Sequence, residues 1–147
     1  MLEEYKSKRD FSKTPEPSDN QSQKLSNGLI YSIQEHHASH LHYDLRLENN
    51  GVLKSWAITK IPINKQGTKR LAIQTEDHPL SYYNFEGNIP EGEYGAGIVK
   101  IWDIGTYKLK EQKPMLIKIE IAGKMLIGTF ILLRIKNNPK NWLFFKM

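Results

Sequence analysis

From Leu29 to the C-terminus the chain breaks into short runs in which apolar and polar residues alternate or β-branched residues cluster: Leu29–Ile33, Leu41–Leu47, Leu53–Ile58, Arg70–Thr75, Ile98–Asp103, Met115–Ile121, Thr129–Ile135 and Asn141–Phe145. A period of two, with Gly, Pro, Asn and Asp between the runs, predicts strands. Asn49-Asn50-Gly51 and Ala122-Gly123-Lys124 read as hairpin turns, where Gly or Asn accepts positive φ at little cost. Strands joined so tightly pair mostly antiparallel. About eight of them predict a mainly β fold, a small antiparallel barrel or strongly bent sheet whose closure removes exposed edges and leaves a concave surface for a site. No alternation of helices with strands supports a parallel α/β sheet.

Ahead of the strands, Leu2–Lys8 has the pattern of a short helix, and Asp10–Asn27 reads as an irregular arm rich in Pro, Ser, Asp and Gln. The 147 residues suffice for one domain whose core needs no disulfide, divided into helix and arm (1–27) and barrel (28–147). The absence of cysteine excludes a disulfide framework, a thiolate metal site and a cysteine nucleophile. Met1–Lys13 is charged throughout, unlike a secretory signal, and no run is long and apolar enough to span a bilayer. The expectation is a soluble cytoplasmic protein, monomeric and without a membrane partner.

Charge changes the picture modestly. Up to Val99 there are 11 basic and 13 acidic residues, whereas Lys100 to Met147 carries 10 basic and 3 acidic. A C-terminal third at +7 suits a polyanion, although lysines outside edge strands also serve simply to block aggregation.

The candidate chemistry concentrates in QEHHASHLHYDLRLE. His42, Asp44 and Arg46 share one parity while Tyr43, Leu45 and Leu47 share the other, the period of a half-buried strand with chemistry on one face and packing on the other. Upstream, Ser32, Gln34 and His36 fall on one parity and Tyr31 and Ile33 on the other, so a strand ending at His36 and turning back through His37–His40 would bring His36 beside His42 and Asp44. Two imidazoles and a carboxylate form a facial three-ligand set with positions open for water and substrate, as catalytic Mn, Fe or Zn sites require. Arg46 would then sit beside the metal, able to grip a phosphate through two nitrogens. The competing reading is the solvated face of an ordinary hairpin, and spacing by itself leaves both open.

A second polar group lies in KRLAIQTEDHPLSYYNFEG, where Arg70, Gln74, Glu76 and His78 share a parity and Tyr82 follows a His-Pro turn. A histidine there can protonate an alkoxide leaving group and Tyr82 can hold a phosphate oxygen; a turn whose His and Tyr cap backbone groups accounts for it equally. Arg9, Asp10 and Glu16 in the arm are either solubilising charges or part of a segment folded across the site. The glycines of PEGEYGAG match neither a phosphate-binding loop nor a dinucleotide fingerprint, and read as tight turns and a bulge before the strand at Ile98.

The blocks KRDFSKTPEP, HHASHLHYDLRLENNGVLKSWAITK, KRLAIQTEDHPLSYYNFEGNIPEGEYGAGIVKIWD and NWLFFKM, covering nearly the whole chain in order, resemble the 3′-phosphoesterase domain found at the N-terminus of bacterial DNA ligase D and as small stand-alone archaeal and bacterial proteins. The resemblance implies a small β-barrel with a crescent-shaped active face. It also implies a Mn²⁺-dependent enzyme acting on DNA or RNA 3′ ends, removing a terminal ribonucleoside as a phosphodiesterase and then the 3′-phosphate as a phosphomonoesterase. By the same resemblance His36, His42 and Asp44 hold the metal, and Arg46, His78 and Tyr82 contact the phosphate and perform the chemistry. Arg9, Asp10, Glu16, Gln34, Lys60, Arg70 and Glu76 match further functional positions. The donors accept Zn²⁺ or Co²⁺ as well as Mn²⁺. A stand-alone chain would work beside separate ligase and polymerase repair proteins. The alternatives are a noncatalytic single-strand nucleic-acid binding barrel that stacks bases on Tyr82, Tyr83 and Phe85 and, ranked last, a sugar- or small-molecule-binding barrel with a structural metal.

Overall fold

The computed structural model describes residues 1–19 and 28–147; the remainder of the expected arm, 20–27, lies outside the described residues. A five-residue helix, α1 (Glu3–Ser7), precedes β1 (Leu29–His37), β2 (Leu41–Asn49), β3 (Val52–Ile58) and β4 (Arg70–His78). A 3₁₀ turn (Leu80–Asn84) leads to β5 (Gly87–Ile89), β6 (Gly97–Lys113), β7 (Leu116–Ala122), β8 (Ile127–Arg134) and β9 (Asn141–Lys146). Every ladder between these strands is antiparallel, in the order β1-β2-β3-β4-β9-β8-β7-β6, and β6 returns to β1 to close an eight-stranded barrel. The ninth strand, β5, adds to the start of β6 outside the closed ring.

The mainly β barrel expected from the period of two is therefore present, and each predicted run contributes to a strand. The Asn50-Gly51 turn has φ of 53° and 81° and joins the paired residues Asn49 and Val52, the two-residue hairpin with positive φ at both central positions. At Gly123 the reason for glycine differs from the expected one. A Cβ there would lie 2.4 Å from an Asp103 carboxylate oxygen, so crowding rather than positive φ demands it. β5 has three residues, too few to show a period. β6 runs far beyond Ile98–Asp103, because its first half pairs with β5 and β1 and its second half with β1 and β7.

Among the described residues, two apolar clusters follow from the alternation. Tyr31, Ile33, Leu45, Trp56, Ile58, Ile119, Phe130 and Phe144 point inward and fill the barrel. Tyr5, Ile30, Leu53, Tyr82 and Tyr83 form a second cluster that fastens α1 and the 3₁₀ turn to the outside of β1 and β3. Burying side chains of this size contributes roughly 1.5–3 kcal/mol each. The consequence for β2 is a correction to the half-buried expectation. Its residues from Tyr43 to Glu48 are buried on both faces, because the helix and turn cover the polar face that the alternation left outside the barrel.

Candidate active site

The β1–β2 ladder places Ser32 opposite Arg46, Gln34 opposite Asp44 and His36 opposite His42. Directly opposed residues share a face, so the even-numbered side chains of both strands converge outside the barrel. The turn His37–His40 predicted from sequence lies where this pairing requires it, with β1 ending at His37 and β2 starting at Leu41. One ligand atom from each of His36, His42 and Asp44 lies within 4.8 Å of the other two. The carboxylate bridges the imidazoles, with Oδ2 at 3.5 Å from His36 Nδ1 and Oδ1 at 3.3 Å from His42 Nε2.

The other nitrogen of each ring explains why these histidines suit a metal. His36 Nε2–H donates to the Gly95 carbonyl at 2.6 Å, and His42 Nδ1–H donates to the His40 carbonyl at 3.0 Å. Carbonyls only accept, so each ring is fixed as the tautomer whose lone pair faces Asp44. Burial opposes a charged His42, but the Asp44 hydrogen bond and charge outweigh it and raise its pKa. Burial also opposes ionised Asp44, yet Arg46, His36 and His42 hold its carboxyl far below the usual carboxylate range. A cation taking the place of the proton shared with Asp44 would meet two imidazole nitrogens and one ionised carboxylate, a donor set that fits a divalent ion.

Arg46 lies beside this set. Its Nε donates to Gln34 Oε1 at 3.0 Å, one terminal nitrogen lies 3.6 Å from Asp44 Oδ2, the other lies 3.3 Å from His78 Nδ1, and the guanidinium sits 4.9 Å from the centre of the Tyr82 ring. Gln34 spends both amide hydrogens on the 3₁₀ turn, donating to the Tyr82 and Phe85 carbonyls at 2.8 and 2.9 Å. One amide therefore joins β1, β2 and the turn. The shortest contact of His78 Nδ1 is with the Glu76 carbonyl at 2.9 Å, which only accepts. With Nδ1–H donating there, Nε2 carries the lone pair, and the Arg46 nitrogen 3.3 Å from Nδ1 acts through its charge rather than a hydrogen bond. Burial first, then Arg46 and Arg9, holds the His78 pKa well below its ordinary value, so the ring is neutral.

The arm completes the wall. Arg9 pairs with Glu16 at 3.1 Å and with Glu76 at 3.2 Å, and its guanidinium lies 4.0 Å from the centre of the Tyr5 ring. Glu16 also accepts from Thr14 Oγ1 at 2.9 Å and from the Tyr82 hydroxyl at 2.6 Å. Burial and Glu16 push the Tyr82 phenol well above its ordinary pKa, keeping it a neutral donor. Its O–H is thereby committed to Glu16, while its ring supports Arg46. Lys8 Nζ reaches Glu76 at 3.2 Å.

These groups line a cleft of about 330 Å³ on the outside of β1–β4, not the barrel interior. Its walls bring together Arg9, Glu16, His36, His42, Asp44, Arg46, Glu76, His78 and Tyr82. Gln34 stands behind them as a buried tether. Three predicted residues lie elsewhere. Asp10 is exposed and accepts from Ser12 N and Oγ within the arm, Lys60 is exposed beyond the end of β3, and Arg70 Nε donates to the Ile61 carbonyl at 2.9 Å. The shared parity of Arg70, Gln74, Glu76 and His78 also fails. The β3–β4 register shifts between Leu53 and Ser55, so Thr75 and Glu76 both line the cleft, while Gln74 accepts from Trp142 Nε1 at 3.1 Å. A bulge of this kind re-aims one stretch of a strand relative to the next.

Tyr94 and Gly95 were missed. Their signal was the glycine-rich loop, and its turns do place a carbonyl on His36. Gly97 shows why: a Cβ there would lie 2.1 Å from the His37 carbonyl oxygen, so glycine alone lets β6 start against the end of β1.

Among the described residues, two guanidiniums against three carboxylates leave the cleft lining one negative charge. A divalent cation reverses that sign, and the same cleft then attracts a phosphate anion.

Residues 34–134 match the family described as the DNA Ligase D 3′-phosphoesterase domain. The chain is 46% identical over 153 residues to the multifunctional non-homologous end joining protein LigD of Pseudomonas aeruginosa, covering 99% of this chain and 18% of that protein. It is 43% identical over 157 residues to the protein so named in Mycolicibacterium smegmatis, covering 99% and 20%, and 45% identical over 146 residues to the LigD end joining DNA repair protein of Mycobacterium tuberculosis, covering 97% and 19%. It spans about a fifth of the length of these curated relatives. With a family match over most of its length and this identity from end to end, the chain belongs to the DNA ligase D 3′-phosphoesterase domain family.

Proposed function

We propose that the protein is a metal-dependent phosphoesterase that heals nucleic-acid 3′ ends for DNA repair, releasing a 3′-terminal ribonucleoside and then the exposed 3′-phosphate to leave a 3′-hydroxyl. The observation that carries this reading is the meeting, in one cleft, of a three-ligand set with oriented lone pairs and a guanidinium held rigid beside it. Family membership and the relatives' printed role in end joining give the class of substrate.

His36, His42 and Asp44 would hold the cation, Mn²⁺ in this reading. When bound, it supplies Lewis-acid polarisation of a phosphoryl oxygen. Arg46 is preorganised by Gln34 and the Tyr82 ring to grip the phosphate and to neutralise charge that develops on it. His78 is neutral before substrate arrives, with Nε2 as its open nitrogen. A bound phosphate offsets the field of Arg46 and Arg9, so Nε2 takes up a proton from solvent; as a water oxygen bonds to phosphorus and the bond from phosphorus to the sugar oxygen breaks, His78 gives that proton to the departing oxygen. Glu16 and Glu76 act through Arg9 and Tyr82, fixing the groups that face the phosphate. A ligase and a polymerase would use the healed end.

The test incubates metal-stripped protein with a labelled primer-template ending in one 3′-ribonucleotide, with and without Mn²⁺, beside Asp44→Ala. Metal-dependent shortening to a 3′-phosphate and then a 3′-hydroxyl, lost in Asp44→Ala, is expected. Unchanged primer with Mn²⁺, Zn²⁺ and Co²⁺ on every 3′-end type would instead indicate a noncatalytic binding barrel.

A further inference from the structure

We infer that Tyr94 is the platform on which the base of the departing nucleoside stacks, which makes the Pro90–Gly97 loop the nucleoside side of the cleft. The inference rests on the phosphoesterase reading above. In that reading the phosphate is fixed between the ligand set and Arg46, and the nucleoside beyond it must lie against a wall of the same cleft.

The aromatic residues singled out by sequence do not offer that wall. Tyr82 and Tyr83 are 3% and 6% exposed and belong to the cluster that glues the 3₁₀ turn down, with Phe85 packed against it. Tyr94 lines the cleft and is 46% exposed. It precedes Gly95, whose carbonyl orients His36, so the ring stands one residue from a backbone group that fixes a proposed metal ligand.

The two residues that follow α1, Lys8 and Arg9, hold the ring in place. Lys8 Nζ lies over the ring, 4.8 Å from its centre, and donates to its hydroxyl at 3.4 Å, and the Arg9 guanidinium lies over it at 5.1 Å, so the base would take the ring surface that these cations leave open. A restrained aromatic surface flanked by cations is the arrangement that binds single nucleotides without reading their sequence, the ring taking the base and the cations favouring the phosphate. A nucleoside of any base would be accepted, purines more tightly than pyrimidines because they stack over a larger area.

The experiment compares two primer-templates, one ending in a 3′-ribonucleoside and one in a 3′-phosphate, for wild type, Tyr94→Ala, Tyr94→Phe and Tyr94→Trp. Tyr94→Ala is expected to raise KM about tenfold more for the ribonucleoside end than for the phosphate end, with Phe and Trp restoring the ratio. Metal-stripped protein is also titrated with a primer whose terminal base is 2-aminopurine, whose fluorescence stacking quenches; the quench should be lost in Tyr94→Ala. KM rising by the same factor on both ends would mean that Tyr94 only holds the loop and arm, and would overturn the inference. So would an unchanged KM ratio together with an unchanged quench. Wild type that turns over neither end, yet quenches through Tyr94, would leave the stacking platform standing and remove the phosphoesterase reading.

Discussion

His42 and His78 stand in one cleft and are driven in opposite directions. Asp44 overcomes burial to raise the pKa of His42, while burial and two guanidiniums depress that of His78. The sign of each effect on stability follows from which state binds more protons. For His78 the unfolded chain binds more protons below about pH 6.5, so its contribution is lost as pH falls through that region. For His42 the folded chain binds more above about pH 6.5, so its contribution is present at lower pH and lost as pH rises through the elevated folded value. The metal-free protein should therefore show a thermal midpoint that peaks near the ordinary histidine pKa. In a pH series of melting curves, His78→Gln should flatten the acid limb and His42→Gln the alkaline limb; unchanged limbs would reject this assignment. Spacing in the sequence predicts that His36, His42 and Asp44 share a face, because alternation runs through two consecutive strands, and it leaves a ligand set and a solvated hairpin face both open. It could not reveal that the Gly95 and His40 carbonyls choose the tautomers, since these contacts depend on where loops close.

Among the elements, α1 carries consequences beyond its five residues. It is too short to be stable by itself and exists because Tyr5 is fully buried against Ile30, Leu53, Tyr82 and Tyr83. Its hydroxyl donates to the Pro17 carbonyl, which draws the arm back along the same surface. Removing this side chain deletes contacts worth about 3–5 kcal/mol, but the loss falls on the docked arm rather than on the closed barrel. Tyr5→Ala should therefore release Glu3–Ser7 to rapid amide exchange and cut turnover at least tenfold while the far-UV spectrum of the barrel persists. Retention of slow exchange in that helix would contradict the account. Strand positions were legible because a period of two survives in six or seven residues. The bulge in β3–β4 was not, and with it the separation of Gln74 from Glu76, because an unpaired residue leaves no mark on composition.

At the scale of the molecule, the basic C-terminal third does not build the cleft. Among the described residues, the cations along its walls and behind them are Lys8, Arg9 and Arg46, from the N-terminal part of the chain, whereas Lys108, Lys110 and Lys113 lie exposed on the second half of β6. Such lysines act on a polyanion at a distance through the counterion atmosphere. Changing all three to Gln should make binding of a primer-template less steeply dependent on salt, measured by titration at several ionic strengths, while kcat stays the same. A fall in kcat would mean that this surface touches the reacting end. Alternation along the chain is enough to place the strands other than β5 and the far half of β6, the Asn50-Gly51 hairpin, and His36, His42, Asp44 and Arg46 on a common face, all of which depend on residues close together in the chain. That this face lies outside the barrel, that α1, the arm and the 3₁₀ turn bury it, and that Lys60 and Arg70 stand apart from it follow from how distant elements pack. Closure of β6 onto β1 and the clasp of Arg9 with Glu16 and Glu76 join residues far apart in sequence. Their energies come from desolvation and packing across elements, which no local period encodes.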